Sequence, residues 1–171
     1  MDIFETIKKR FSCRRYKSQP VEEEKLVKIL EAARLAPSAH NAQDWKFVVV
    51  KNETTRKQLA QAASQPFVAE APVIIVAVSL NPDRVLSCEV PAYALNLAIA
   101  VEHMALAATA LDLATCWIGA FDQGEVKKIL EIPDKYKVVA LLPVGYSAQV
   151  SGEKLRKSLE GIVCWEKFED D

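Results

Sequence analysis

The hydrophobic and polar positions of the chain follow two periods, one typical of helices and one typical of strands. Apolar residues recur every three or four positions in some segments and form short continuous runs in others. The pattern predicts helices over 2–10, 22–36, 54–63, 91–112 and 123–130, strands over 45–50, 72–80 and 137–146, and a strand passing into a loop over 114–121. The continuous run at 72–80 is typical of a strand buried on both faces. Because strands and helices alternate, we expect a layered α/β or α+β fold, in one domain over residues 1–171.

The segment 91–112 is long and apolar enough to span a membrane. However, it carries Asn96, Glu102 and His103, and most of its apolar residues are alanines. These features favour a buried central helix and predict no membrane association, with His103 hydrogen-bonded in the core. The tail at 162–168 is also apolar enough to pack, although it follows a polar loop.

Composition sets only broad limits on function. The 171 residues are 50% hydrophobic with a net charge of −1, and this balance predicts no nucleic acid or other polyanionic partner. The four cysteines form no C-x-x-C pair, so the sequence predicts no metal site, and reduced thiols in a cytoplasmic protein are the simpler interpretation. The charged N-terminal segment lacks the apolar region of a secretory signal, so none is expected.

Positive charge is nevertheless concentrated near the N-terminus, in the stretch RFSCRRYKSQPV that begins at Arg10. No acidic residue interrupts the chain from Lys8 to Lys17. Alternate residues of an extended segment point to the same side, so Arg10, Ser12 and Arg14 would converge on a phosphate or a polyhydroxylated chain. The alternative is a solvated basic stretch between two helices.

A second basic cluster, near the C-terminus, contains Lys154, Arg156 and Lys157. Such a cluster is more often a solvated surface, but two clusters from opposite ends of the chain could close on one anion. The chain has only five glycines and contains neither G-x-G-x-x-G nor a P-loop. Charged side chains, rather than a glycine-rich loop, must therefore hold any phosphate.

The segment LAPSAHNAQDW, at 35–45, is a polar loop between a predicted helix and a predicted strand. Ser38, His40, Asn41 and Gln43 give it hydrogen-bonding groups, as is common in binding loops. The alternative is a helix end followed by ordinary turn residues. His40 has no acid or nucleophile at a recognisable spacing, so no catalytic side chain is predicted, and any chemistry would belong to a bound cofactor.

Together these segments resemble the FMN-dependent nitroreductases. RFSCRRY is similar to that family's R-R-S-x-R-x-aromatic motif, APSAHNAQDW to A-P-S-x-x-N-x-Q-P-W, and DLATCWIGAF to G-L-G-T-C-W-I-G-x-F. PVGY and KLRKSLEGIV complete a similarity that covers nearly the whole chain. The resemblance implies an α+β fold with a central mixed, mainly antiparallel sheet flanked by helices, in a homodimer with FMN at its interface.

The resemblance also implies which residues bind FMN. Those expected at the phosphate are Arg10, Lys154 and Arg156. Those expected at the ribityl chain and the pyrimidine edge are Ser12 and Arg14. Phe11, between Arg10 and Ser12, is included at the position where a second basic residue is usual. Those expected to reach the flavin from the partner subunit are Pro37, Ser38, Ala39 and Asn41. The backbone expected against the isoalloxazine, with an N–H directed at its N5/O4 edge, is that of Trp117, Ile118, Gly119 and Ala120.

The implied activity is hydride transfer from NADH or NADPH through the flavin to an electron-poor small molecule, such as a nitroaromatic or a quinone. Three alternatives stay open. One is a relative that acts on flavin itself or on halogenated phenols, and another is a flavin-binding or redox-sensing protein without turnover. The third is a small nucleic-acid-binding protein that uses the basic N-terminal segment.

Departures from the family pattern bear on these expectations. Asp44 replaces a proline, and Asp112 and Ala114 replace two glycines, so the turn before TCW could differ. The segment 67–90 leaves little room for the additional helices that often line the substrate pocket.

Overall fold

Helices pack on both faces of an open sheet in the computed structural model, which describes residues 2–169. The helices are α1 (Ile3–Lys9), α2 (Glu23–Arg34), α3 (Glu53–Ala62), α4 (Ala92–Ala110) and α5 (Gln123–Ile129). The strands are β1 (Trp45–Val50), β2 (Val73–Ser79), β3 (Ala114–Thr115) and β4 (Lys137–Gly145). Short 3-10 turns cover Ala39–Asn41, Pro66–Glu70 and Glu160–Ile162. The predicted α+β class is confirmed, and the predicted strand at 114–121 is shortened to two residues.

The strand order is β1-β2-β4-β3, and all three pairings are antiparallel. The parallel component of the sheet is a single bridge between Ser12 and Thr115, which adds the N-terminal basic segment to the edge at β3. Every residue of β2 is buried. The predicted burial of this strand on both faces is therefore confirmed.

Alternate residues of β2 supply two separate cores, because successive side chains of a strand point to opposite faces. Ile75 and Ala77 face α2 and α4, where they pack with residues such as Leu97. Ile74 and Val76 face α3 and α5, in the cluster that includes Leu59 and Val126.

Helix α4 is the central core helix that the sequence predicts. It is long and apolar enough to cross a membrane, but eight of its residues are buried and most of these pack in the core cluster with α2 and the sheet. His103 is half-buried, and its Nδ1 lies 3.2 Å from the carbonyl oxygen of Ala32, as predicted for a satisfied histidine.

The turn after α4 explains one departure from the family pattern. Asp112 has φ of 61°, in the left-handed region that glycine adopts most easily. The N–H of Asp112 donates to Thr109 O at 3.2 Å, and that of Leu113 to Ala108 O at 2.9 Å. This is the Schellman pattern, so aspartate retains the turn for which the family uses glycine.

The C-terminal tail differs from its sequence-based expectation. Within the single chain it does not pack, and Trp165 and Phe168 are 82% and 83% exposed. Val150, Leu155, Leu159 and Ile162 are also exposed. An apolar segment of this length without a covering surface in its own chain is available to a partner.

Gly145 gives a test of the packing at the end of β4. A Cβ there would lie 2.6 Å from Pro72 Cδ and 3.1 Å from Tyr16 Cδ1. We expect Gly145→Ala to lower the free energy of unfolding by about 1–3 kcal/mol, measured by chemical denaturation, because the added methyl overpacks the core. The matched control is Gly124→Ala in α5, where the nearest atom is 3.4 Å away and the change should be neutral or stabilising by up to about 1 kcal/mol. Equal stability of the two variants would contradict this packing.

Candidate functional site

An open cleft of about 390 Å³ lies where the N-terminal basic segment meets the beginning of the tail. It joins the two basic clusters that the sequence places at opposite ends of the chain. Its lining residues are Arg10, Phe11, Ser12, Arg14, Gln149, Ser151, Gly152, Glu153, Lys154, Leu155 and Arg156. All the residues predicted to bind the phosphate, the ribityl chain and the pyrimidine edge are therefore in one place.

The sheet edge holds the N-terminal part of the cleft in an extended conformation. The N–H of Cys13 donates to Thr115 O, and the N–H of Lys17 donates to Tyr146 O, each at 2.9 Å. Cys13 is buried, so its neighbours in the sequence point the other way, toward the cleft. This alternation is the physical reason that Arg10, Ser12 and Arg14 share one side, as the sequence predicts.

Two polar contacts attach the tail side of the cleft to this segment. Gln149 Oε1 accepts from the N–H of Arg14 at 3.0 Å. Lys154 Nζ donates to the carbonyl oxygen of Lys8, in the last turn of α1, where a cation is also favoured by the helix dipole. The tail therefore enters the cleft in a defined position.

The cleft has more positive than negative charge. Arg10, Arg14, Lys154 and Arg156 line it, and Glu153 is the acid among its lining residues. Burial, and then the charges of Arg10 and Arg156, lower the pKa of Lys154. A lowered pKa means that the cation is disfavoured by its surroundings, and a bound anion would relieve this repulsion. The electrostatics therefore favour an anionic ligand.

Glu102 of α4 lies beside the cleft, with its Oε1 3.6 Å from Arg10 Nε. It anchors the guanidinium from the helix side. Only part of the positive charge is compensated, because no other salt bridge among the described residues involves a lining cation of the cleft.

Cys116 lies behind the cleft and is buried. Burial raises the pKa of its thiol, and the opposing effects of the Arg14 charge and of a hydrogen bond with Ser12 do not cancel this rise. The thiol is therefore protonated near neutral pH, and it is not an activated nucleophile.

The segment from Trp117 to Ala120 follows β3 and Cys116, and none of its four residues lines the cleft. The N–H of Ile118 donates to Leu141 O at 3.0 Å, so it is used within the protein. Gly119 and Ala120 are exposed, whereas Ile118 is buried. Of the four predicted residues, Gly119 and Ala120 therefore offer the accessible backbone.

The predicted loop at 37–41 does not line the cleft of its own chain. It lies over the N-terminal half of α4, where the N–H of Ala39 donates to Asn96 Oδ1 at 2.9 Å. Ser38 Oγ accepts from the N–H of Gln43 at 3.1 Å. His40 is exposed at the tip of this loop.

Six residues that the sequence did not mark as part of the site are in contact with it: Gln149, Ser151, Gly152, Glu153, Leu155 and Glu102. Gln149 follows the predicted strand that ends in PVGY, and this position is the sequence feature that could have indicated its place in the site. Glu102 lies in the middle of a helix pattern, so only its contact with Arg10 reveals it.

The chain is an α+β protein with a cationic cleft at the edge of its sheet. Comparison with known proteins identifies its family. The sequence profile described as "Nitroreductase family" matches residues 7–67 and 60–146. The chain belongs to the nitroreductase family.

Individual relatives agree with this assignment. A Thermus thermophilus protein named NADH dehydrogenase is 32% identical, over 92% of this chain and 92% of its own. The crystal structure of a nitroreductase family protein from Clostridium novyi has 37% identity and a TM-score of 0.81, covering 86% of each chain. An FMN-dependent nitroreductase from Clostridium difficile R20291 has 30% identity and a TM-score of 0.82, covering 95% of this chain and 98% of its own.

Proposed function

We propose that this chain is an FMN-dependent oxidoreductase that uses NADH or NADPH and acts as a homodimer. The observation that carries the proposal is the partly uncompensated positive charge of the cleft, made by Arg10, Arg14, Lys154 and Arg156. The relatives support it, because one is named an FMN-dependent nitroreductase and another an NADH dehydrogenase.

The residues of the cleft suit a flavin mononucleotide. Arg10, Lys154 and Arg156 would hold the phosphate through charge-assisted hydrogen bonds. Ser12 and Gln149 offer a hydroxyl and an amide for the hydroxyls of the ribityl chain. The exposed backbone of Gly119 and Ala120 is available to the edge of the ring system.

When bound, FMN would supply the redox chemistry that links a reduced nicotinamide to an electron-poor small molecule, such as a nitroaromatic or a quinone. Arg14 contributes positive charge at the pyrimidine edge, which favours added electron density on the ring. We expect no side chain of this chain to act as the acid or base, because His40 lies on the loop outside the cleft and the Cys116 thiol is neutral. Protons would then come from water or from the flavin's own environment.

A homodimer would complete the site. Asn96 and Glu102, which hold the loop and Arg10, are six residues apart on α4, or about 9 Å along the axis and about 120° around it. The loop and the cleft are therefore attached to different faces of this helix. A flavin that contacts Pro37, Ser38, Ala39 and Asn41 as well as the cleft would take them from the partner subunit.

Exposed apolar surface supports the same assembly. Ile3, Phe4 and Ile7 of α1, Leu95 of α4 and the residues of the tail are all exposed in the single chain. Permanent dimer interfaces bury surface of this apolar kind. We also propose a cytoplasmic location, which the four free cysteines support.

The phosphate site can be tested by titrating FMN-free protein with FMN and following flavin fluorescence. Arg10→Ala and Arg156→Ala should each weaken FMN binding at least ten-fold, or about 1.4 kcal/mol, because each removes a charge-assisted contact. The control is Arg34→Ala, since Arg34 pairs with Glu31 on the surface of α2. Unchanged affinity in both cleft variants would contradict the phosphate assignment.

The shared site can be tested with a mixed dimer purified through two different tags. One subunit carries Arg10→Ala and Arg156→Ala, and the other carries Ser38→Trp in the loop. Each parent homodimer should bind FMN at least ten-fold more weakly than wild type. The mixed dimer should bind one FMN with wild-type affinity, because one of its two sites combines an intact cleft with an intact loop. A mixed dimer that binds no FMN with wild-type affinity would contradict this arrangement. A monomer by light scattering would contradict it as well.

The source of electrons can be tested by adding NADH or NADPH to the FMN-bound protein without oxygen and recording the visible flavin absorbance. At least one of them should bleach it. Arg14→Ala should keep FMN but slow the bleaching at least ten-fold, or about 1.4 kcal/mol in the barrier, through the loss of positive charge near the ring. The neighbouring exposed Arg15, changed to Ala, is the control. If neither nicotinamide bleaches a bound flavin, the protein is a flavin-binding module without this turnover.

A further inference from the structure

Asn96 is a buried amide in the core face of α4, with 1% of its surface exposed. Its two polar atoms reach both ends of one loop. Oδ1 accepts from the N–H of Ala39 at 2.9 Å, and Nδ2 donates to Asp44 Oδ1 at 3.4 Å. A single side chain from the core thus joins the beginning of the loop to its end.

The loop between these two contacts has an unusual backbone. His40, Asn41 and Gln43 have φ of 55°, 53° and 49°, in the left-handed region, and none is glycine. Such conformations cost on the order of 1 kcal/mol or more each, and they persist only when the surroundings enforce them. Asn96 is the buried residue that can enforce these conformations, because its partners Ala39 and Asp44 lie on either side of all three residues.

The carboxylate of Asp44 depends on its hydrogen bond with the amide of Asn96. Its Oδ2 is buried and has no hydrogen-bond partner among the described residues, so the amide of Asn96 is the side-chain donor that this carboxylate has. The family pattern has proline here, and proline has no side-chain acceptor. The pair of Asn96 and Asp44 is therefore a property of this chain's own sequence.

We infer that Asn96 is a positioning residue, which sets the FMN affinity of the site by holding the strained loop from Ser38 to Gln43 in its binding conformation, with Asp44 as its partner. This inference rests on the proposed function, in which the loop reaches the flavin of the partner subunit. Asn96 acts through the loop: if its contacts are lost, the loop relaxes, and binding must then supply the free energy that orders it.

The first experiment needs no FMN. Hydrogen exchange at the N–H of Ala39 is compared in wild type, Asn96→Leu and Leu97→Ala. Leucine preserves the size of the side chain but removes both hydrogen bonds, so exchange at Ala39 should be at least ten-fold faster. Leu97 is the buried neighbour on α4, and its side chain has no polar group that could hydrogen-bond the loop. Leu97→Ala therefore lowers stability but should leave this exchange rate unchanged.

The second experiment exchanges the two polar groups and measures FMN affinity. Asn96→Asp sets two carboxylates against each other and should weaken binding at least ten-fold. Asp44→Asn alone keeps the amide–carbonyl bond and should stay within three-fold of wild type. The double variant N96D/D44N should also return to within three-fold, because the new carboxylate can accept both from Ala39 N–H and from the new amide at position 44.

The outcomes separate this inference from the proposed function. If the double variant binds FMN no better than N96D, or if Leu97→Ala weakens binding as much as Asn96→Leu, the positioning role is wrong. If N96L does not fold, the FMN affinities of N96D and N96D/D44N still decide the result, because both variants preserve side-chain size. If wild type binds no FMN, the proposed function fails. An unchanged exchange rate at Ala39 in Asn96→Leu would overturn the inference whether or not FMN binds.

Discussion

The packing of helix α4 against the sheet is the interaction on which both halves of the candidate site depend. Small buried residues such as Ala100 and Ala108 allow the helix to lie close to the core residues of β2 and β4. Its position then places Asn96 under the loop and Glu102 beside Arg10. A shift of this helix would move the loop and the cleft relative to each other, although neither belongs to the helix.

The cleft is electrostatically unfavourable without a ligand, and the fold tolerates it for identifiable reasons. Arg14 and Arg156 are exposed to water, which screens their repulsion, and Glu102 offsets part of the charge of Arg10. Burial, and then the remaining repulsion from Arg10 and Arg156, lower the pKa of Lys154. The site is therefore arranged for an anion before the anion binds, and this pre-organisation lowers the cost of binding.

Two departures from the family pattern have different structural consequences. Asp112 adopts the left-handed conformation that the family's glycine would adopt, so the turn before β3 is preserved. Asp44 instead introduces a carboxylate that contacts the core through Asn96. The short segment 67–90 contains part of the 3-10 turn Pro66–Glu70 and strand β2, and no α-helix.

The amino-acid sequence by itself determined the elements and the chemical character of the site. Periodicity located every helix and the strands β1, β2 and β4 to within a few residues, since local propensity and burial patterns act over short stretches. Charge and polar residues marked the stretches that line the cleft and form the loop. The tertiary structure decided which of these stretches meet. The meeting of the Arg10 segment and Lys154 in one cleft, the contact of Asn96 with the loop and the exposure of the tail depend on which residues distant in the chain come together. No local pattern of hydrophobic and polar positions records such contacts.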